Sequence, residues 1–135
     1  MLNFLNKNKY LLGRISFFII FFWFGYLKII GVSPAEGVVR ELFNTLFLDS
    51  IVSFESFFFG LGIFEMIIGI GFLVGKFKKI VLSLFLVHIL TTFGPMILNT
   101  DVTWQSFGVL TLAGQYIVKN LVFVIAGIYI LRKRN

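Results

Sequence analysis

The chain has 135 residues, 59% of them hydrophobic and 13% charged, and a formal net charge of +6. Soluble domains carry about 25% charged residues, so the composition argues for a single polytopic membrane domain spanning residues 1–135. The absence of cysteine excludes a disulfide framework, a thiolate metal site and a dithiol relay. The basic residues sit at the chain ends and in one connection, which suits a membrane surface and not a nucleic acid.

Residues 1–10 are short and polar, with Lys7 and Lys9. The apolar run Leu11–Ile30, interrupted by Arg14, reaches the roughly 20 residues that a helix needs to cross a bilayer. It is too long for the core of a signal peptide, and three more such runs follow. Ser33-Pro34-Ala35-Glu36 matches a capping box, with Ser33 as N-cap and Pro34 at the first helical position. Val38, Val39, Leu42, Phe43, Leu46 and Phe47 then recur at helical spacing, opposite Glu36, Arg40, Glu41 and Asn44. This predicts an amphipathic helix over about 34–48, lying at the interface or capping the bundle.

The second span is predicted over Phe54–Val74. On a helical wheel Gly62, Glu65 and Gly69 share one face, and Gly60, Gly71 and Gly75 another. Small residues let helices approach closely in lipid, so this helix is expected to pack on two sides. The third span runs over Ile80–Leu98, with His88, Thr91 and Thr92 on one face. Pro95 has no N–H for the carbonyl of Thr91, which predicts a kink. Residues 99–113 read as a second non-spanning connection, with Trp104 suited to the headgroup level. The fourth span is predicted over Gly114–Leu131 and ends in Arg132, Lys133 and Arg134.

The fold expected is all-α, an integral membrane four-helix bundle with one amphipathic helix between spans one and two. Lys7, Lys9 and Arg14, then Lys76, Lys78 and Lys79, then Arg132, Lys133 and Arg134 fall on one side. The other side has Arg40 among acidic residues and no basic residue in its second connection. Positive residues stay inside, so both termini are expected in the cytoplasm.

Four ionisable side chains fall inside the predicted spans: Lys28, Glu65, His88 and Lys119. A charge at the bilayer centre costs roughly 2.5–3.5 kcal/mol on insertion scales and normally has a protein partner. At about 1.5 Å per residue, Glu65 and His88 lie roughly 15 Å below the outer edge, Lys119 roughly 8 Å and Lys28 roughly 4 Å. Side chains lean toward their helix N-terminus, so Lys28 and Glu65 lean toward each other. Lys28 is therefore the favoured partner of Glu65, followed by Lys119 and His88. The competing readings are ordinary ones. The lysines snorkel to the headgroups, His88 bonds a backbone carbonyl, Glu65 is locked in a structural pair, and Arg14 is a topology anchor. Thr91, Thr92, Gln115 and Asn120 are secondary polar candidates.

One histidine, no cysteine and no HExxH leave no catalytic or metal motif, and no phosphate loop is present.

Trp23–Val39 (WFGYLKIIGVSPAEGVV), Phe64–Gly75 (FEMIIGIGFLVG) and Gly114–Asn120 (GQYIVKN) resemble the DoxX-like membrane proteins, a group that includes the DoxD/DoxX subunits of thiosulfate:quinone oxidoreductase and the YkgB-like proteins. The resemblance covers nearly the whole chain and implies a four-helix membrane bundle. The family's basic residue at the start of span one corresponds to Arg14. Its Gly–Lys at the end of span one corresponds to Gly25 and Lys28, its span-two Glu to Glu65 and its span-four Lys to Lys119. Some members are linked to quinone-dependent redox chemistry or oxidative-stress systems. The lack of cysteine argues against a thiol role for this chain.

Two functions are compatible with these residues. In one, the chain is a membrane subunit of a redox system, in which Lys28, Glu65, His88 and Lys119 hold a quinone headgroup and carry protons beside a redox partner protein. In the other, it is a non-enzymatic scaffold or small-solute permeability protein whose buried charges fix how the helices pack in the lipid bilayer.

Overall fold

The computed structural model describes residues 2–132. Four of its helices are long and apolar enough to cross a membrane, and the protein is a multi-pass membrane protein built as a helical bundle. In chain order the elements are α1 (Leu2–Ile29), α2 (Glu36–Thr45), a short 3-10 turn (Leu48–Ser50), α3 (Phe54–Val74), α4 (Lys78–Thr92), α5 (Gly94–Leu98), α6 (Thr100–Thr103), β1 (Trp104–Ser106), β2 (Val109–Leu110) and α7 (Leu112–Arg132).

Helix α1, α3, α4 and α7 close a ring in which each packs on two neighbours, and the α1–α3 contact is the most extensive. Glycines set the two flanks of α3. Gly62 and Gly69 let α1 approach: a Cβ on Gly69 would stand 2.9 Å from the backbone nitrogen of Phe22. Gly71 faces α4, where a Cβ would meet Val81 at 2.7 Å. The expectation of two-sided packing is met at these positions, whereas Gly60 faces open space.

The helix ends follow local chemistry. Ser53 caps α3, its Oγ accepting the Ser56 N–H at 3.3 Å, and Gly75 ends it in the left-handed region at φ 65°. Thr111 caps α7, its Oγ1 accepting the Gly114 N–H at 3.1 Å. Span four therefore starts two residues before the expected Gly114, because Thr111 is the residue that can satisfy the free N–H groups. Helix α1 begins at Leu2, well before the expected Leu11. Nothing in residues 2–12 breaks a helix, and Asn8 donates its side-chain N–H to the Phe4 carbonyl at 3.0 Å.

The expected helix after span one exists, but it is shorter and is not opened by Ser33. It runs Glu36–Thr45, with Ala35 already in helical conformation and no side-chain cap. Ser33 Oγ accepts the Ala35 N–H at 3.3 Å instead, a turn two residues long. Glu36, free of a capping duty, pairs with Arg40 at 2.8 Å. The helix buries Phe43 against Phe54 and Phe58 of α3, while Leu46 and Phe47 lie beyond its end and are exposed.

The interruption expected from Pro95 is present. Helix α4 stops at Thr92, and α5 restarts at Gly94 with Pro95 in its first turn, where no N–H is required. The following connection does not span, as expected, and it has structure of its own. It holds α6 and an antiparallel hairpin that pairs Trp104 with Leu110 and turns at Gly108, φ 75°. Trp104 is half-buried and donates its Nε1–H to the Met96 carbonyl at 3.1 Å. Helix α2, α5, α6 and the hairpin thus cover one end of the bundle, hereafter the capped end. The start of α1, the end of α7 and the α3–α4 connection lie at the other, hereafter the side of the termini.

Candidate functional site

Lys28, Glu65 and His88 meet inside the bundle, from α1, α3 and α4, each about one-twentieth exposed. Lys28 Nζ donates to Glu65 Oε2 at 2.7 Å. His88 Nε2 stands 3.2 Å from the second carboxylate oxygen, Oε1. Lys28 Nζ is also 3.5 Å from the Phe24 carbonyl oxygen of its own helix.

The convergence follows from the backbone. Lys28 and Glu65 lie on antiparallel helices, each three residues past a glycine at the α1–α3 crossing. Each side chain leans back toward its own helix N-terminus, so the two lean to a common level. A charge pair removed from water is tolerated only when its geometry and hydrogen bonding are good, and here both carboxylate oxygens face nitrogen. Lys28 therefore does not snorkel.

A carboxylate oxygen facing an imidazole nitrogen assigns the hydrogen to that nitrogen, so Nε2 of His88 is the N–H. Its other nitrogen, Nδ1, is buried and has no hydrogen-bond partner among the described residues. The ring is held between Phe21 and Phe64, both edge-on at centroid distances of 5.8 Å. His88 thus has one nitrogen committed to Glu65 and one left as a hydrogen-bonding position.

The secondary candidates divide. Thr91 donates its hydroxyl to the His88 carbonyl and Thr92 to the Ile89 carbonyl, both at 2.7 Å. Asn120 of α7 donates to Thr92 Oγ1 at 2.9 Å, one turn beyond His88. Lys119 does not join the buried cluster. It is exposed and lies over the Tyr116 ring at 4.9 Å, because its position faces away from α4 while Asn120 faces it. Gln115 is also exposed. Arg14 is remote from the triad and does more than mark a side: its Nε donates to the Phe72 carbonyl at 2.8 Å and its Nη2 to that of Leu73, closing the C-terminal turn of α3.

Asn99 was not singled out from the sequence. It is buried, and its Nδ2 donates to Thr45 Oγ1 at 2.7 Å while its Oδ1 is unpartnered. Only its position two residues ahead of Asp101, at the start of a non-spanning connection, could have hinted at a tie between α2 and α6.

No group of three or more potential metal ligands occurs among the described residues. Shallow apolar grooves lie on α1, along Phe18, Phe22 and Tyr26, and between Tyr10 and α7; neither includes a triad residue. Comparison with known proteins finds no matching family model, no matching curated protein and no matching solved structure.

Proposed function

We propose that the protein is a DoxX-like protein of the bacterial inner membrane, with both termini in the cytoplasm, and that it serves as a membrane subunit of a quinone-linked redox or oxidative-stress system and not as a complete enzyme. The observation that supports this reading is the His88 Nδ1 left open beside a buried ammonium–carboxylate pair. Buried polar atoms are almost always hydrogen-bonded, and one that is not calls for an explanation such as a ligand or a redox role. The donor set suits a headgroup that bears oxygen atoms. Lys28 Nζ would bind a carbonyl oxygen, and His88 Nδ1 would accept a hydroxyl hydrogen. Glu65 would orient both groups and hold the proton on Nε2. A quinone, when bound, supplies two-electron, two-proton chemistry.

The second reading is a non-enzymatic scaffold, and one observation favours it: Lys28 and Glu65 already satisfy each other at 2.7 Å. Purification in native-membrane discs separates the two. The redox reading expects a quinone in the lipid extract, in proportion to protein, and its loss from Glu65→Gln and His88→Gln variants that remain folded. An extract no richer in quinone than the surrounding membrane leaves the scaffold reading.

A further inference from the structure

The polar interior of this bundle is one-sided. Every buried polar or charged side chain among the described residues, namely Lys28, Ser33, Glu65, His88, Asn99 and Thr103, lies at the triad or between it and the capped end. Both unpartnered buried atoms, His88 Nδ1 and Asn99 Oδ1, belong to this set. Toward the other end, the chain directions place Phe17, Phe72, Phe85 and Leu131 directly below the triad. Phe72 and Phe85 are fully buried. Their rings lock together: Phe17 stacks on Phe72 at 4.3 Å, and Phe85 stands edge-on to Phe72 at 5.3 Å and to Phe17 at 5.6 Å. Gly127 of α7 completes the layer, since a Cβ there would meet the Phe85 ring at 2.6 Å. Interlocked, buried rings offer water no polar partner, and apolar interiors of this kind stay dry.

Hydrogen-bond accounting points the same way. His88 Nδ1 needs a donor. The hydroxyls nearest in the chain, Thr91 and Thr92, spend their hydrogens on backbone carbonyls of α4. Asn120 spends one amide hydrogen on Thr92 Oγ1. The hydroxyl oxygens that remain are acceptors and cannot serve Nδ1. Asn120 keeps a second amide hydrogen, but no described residue places a donor on Nδ1, and water entering beside these polar groups would complete it.

We propose that Lys28–Glu65–His88 is a proton-binding site that exchanges protons with the capped side of the membrane only, through water admitted along Thr92 and Asn120, and that the Phe17–Phe72–Phe85 layer seals it from the side of the termini. The proton is taken up at Nδ1 of His88 from water and returned to water. On uptake an N–H bond forms at Nδ1 as an O–H bond of hydronium breaks and leaves water, and release reverses the step. The charged groups facing the imidazole are Lys28 from α1 and Glu65 from α3. Helix α7 presents Asn120 on that side and no charge, since Lys119 is exposed. The inference holds whether or not a quinone binds.

The chain offers a direct test, because it contains one histidine and no cysteine. The protein, labelled with ¹⁵N-histidine and free of any histidine tag, is placed in vesicles in one orientation. Stepping the capped-side pH between about 5 and 8, the range in which histidines commonly change charge, is expected to move the ring-nitrogen resonances of His88. Stepping the pH on the side of the termini is expected to leave them in place. Resonances that follow the pH on the side of the termini, or that follow neither side, overturn the proposal. Single cysteines give an independent readout. Thr92→Cys is expected to react with a membrane-impermeant thiosulfonate from the capped side only, and Ala126→Cys, beside the aromatic layer, from neither side. Reaction of Thr92→Cys from the other side, or of Ala126→Cys from either, overturns it as well.

Discussion

Gly25 and Gly62 stand back to back where α1 crosses α3, and the Lys28–Glu65 pair depends on that contact. A Cβ on Gly62 would lie 2.7 Å from the Gly25 carbonyl oxygen and 3.0 Å from Lys28 Cβ. A Cβ on Gly25 would run into the Gly62 carbonyl oxygen and lie 2.9 Å from Met66 Cγ. The room left by the absent Gly62 side chain is what the stem of Lys28 occupies on its way to Glu65.

Gly62→Val should therefore separate α1 from α3 and destabilise the protein by about 1–3 kcal/mol, the usual cost of overpacking. Gly60→Ala is the control on the same helix, where a Cβ meets nothing within 4 Å. Removing a mid-helix glycine there should stabilise by about 0.5–1 kcal/mol. Thermal unfolding in detergent, followed by loss of monodisperse protein, compares the two. Equal effects would show that the crossing is looser than the close contact implies.

Glu65→Gln should leave Lys28 as an uncompensated buried charge and cost about 3–5 kcal/mol. Adding Lys28→Met to that variant should restore part of the loss, since residues sharing one ion pair are not additive. Lys119→Gln, at an exposed position, should stay within about 0.5 kcal/mol of the parent. A double-mutant cycle on unfolding in denaturant measures the coupling, and strict additivity of Glu65→Gln and Lys28→Met would mean that the pair is not formed.

Arg14→Gln should loosen the end of α3, because the guanidinium closes the carbonyls of Phe72 and Leu73. Hydrogen bonds from a charged donor contribute about 1.5–3 kcal/mol each. Arg14→Lys should recover only part, since an ammonium lacks the planar fork that reaches two carbonyls at once. Gly75→Ala should be comparably harmful, having both a left-handed backbone and the Arg14 guanidinium against its Cβ. Amide exchange in the last turn of α3 checks this, and unchanged protection in Arg14→Gln would remove the role.

Four spans return the chain to the side on which it began. Reporters fused to each terminus should both be active in the cytoplasm, and a reporter placed in the hairpin next to Gly108 should be inactive there. A C-terminal reporter exposed on the outside would contradict the charge asymmetry.

The sequence by itself determined the four apolar helices, the break at Pro95 and the two packing faces of α3, because these rest on local length, hydropathy and spacing. It also carried the meeting of Lys28 with Glu65, since side-chain lean on antiparallel neighbours is a property of helix geometry. What it could not resolve depends on rotation and distance between elements. Lys119 and Asn120 are adjacent in the chain, and only the set of α7 against α4 puts Asn120 on Thr92 and leaves Lys119 outside. Ser33 looks like a cap until the helix is seen to open at Glu36, two residues beyond the Pro34 that Ser33 would precede. The hairpin at Trp104–Leu110 has four paired residues around a Phe107–Gly108 turn, too short for any periodic signal, and it is held by its covering position over α7. The open nitrogen of His88 and the aromatic layer beneath it were beyond reach as well, because an unmet hydrogen bond and a sealed interior are facts about what three or four helices bring to one level, and no single stretch of chain contains them.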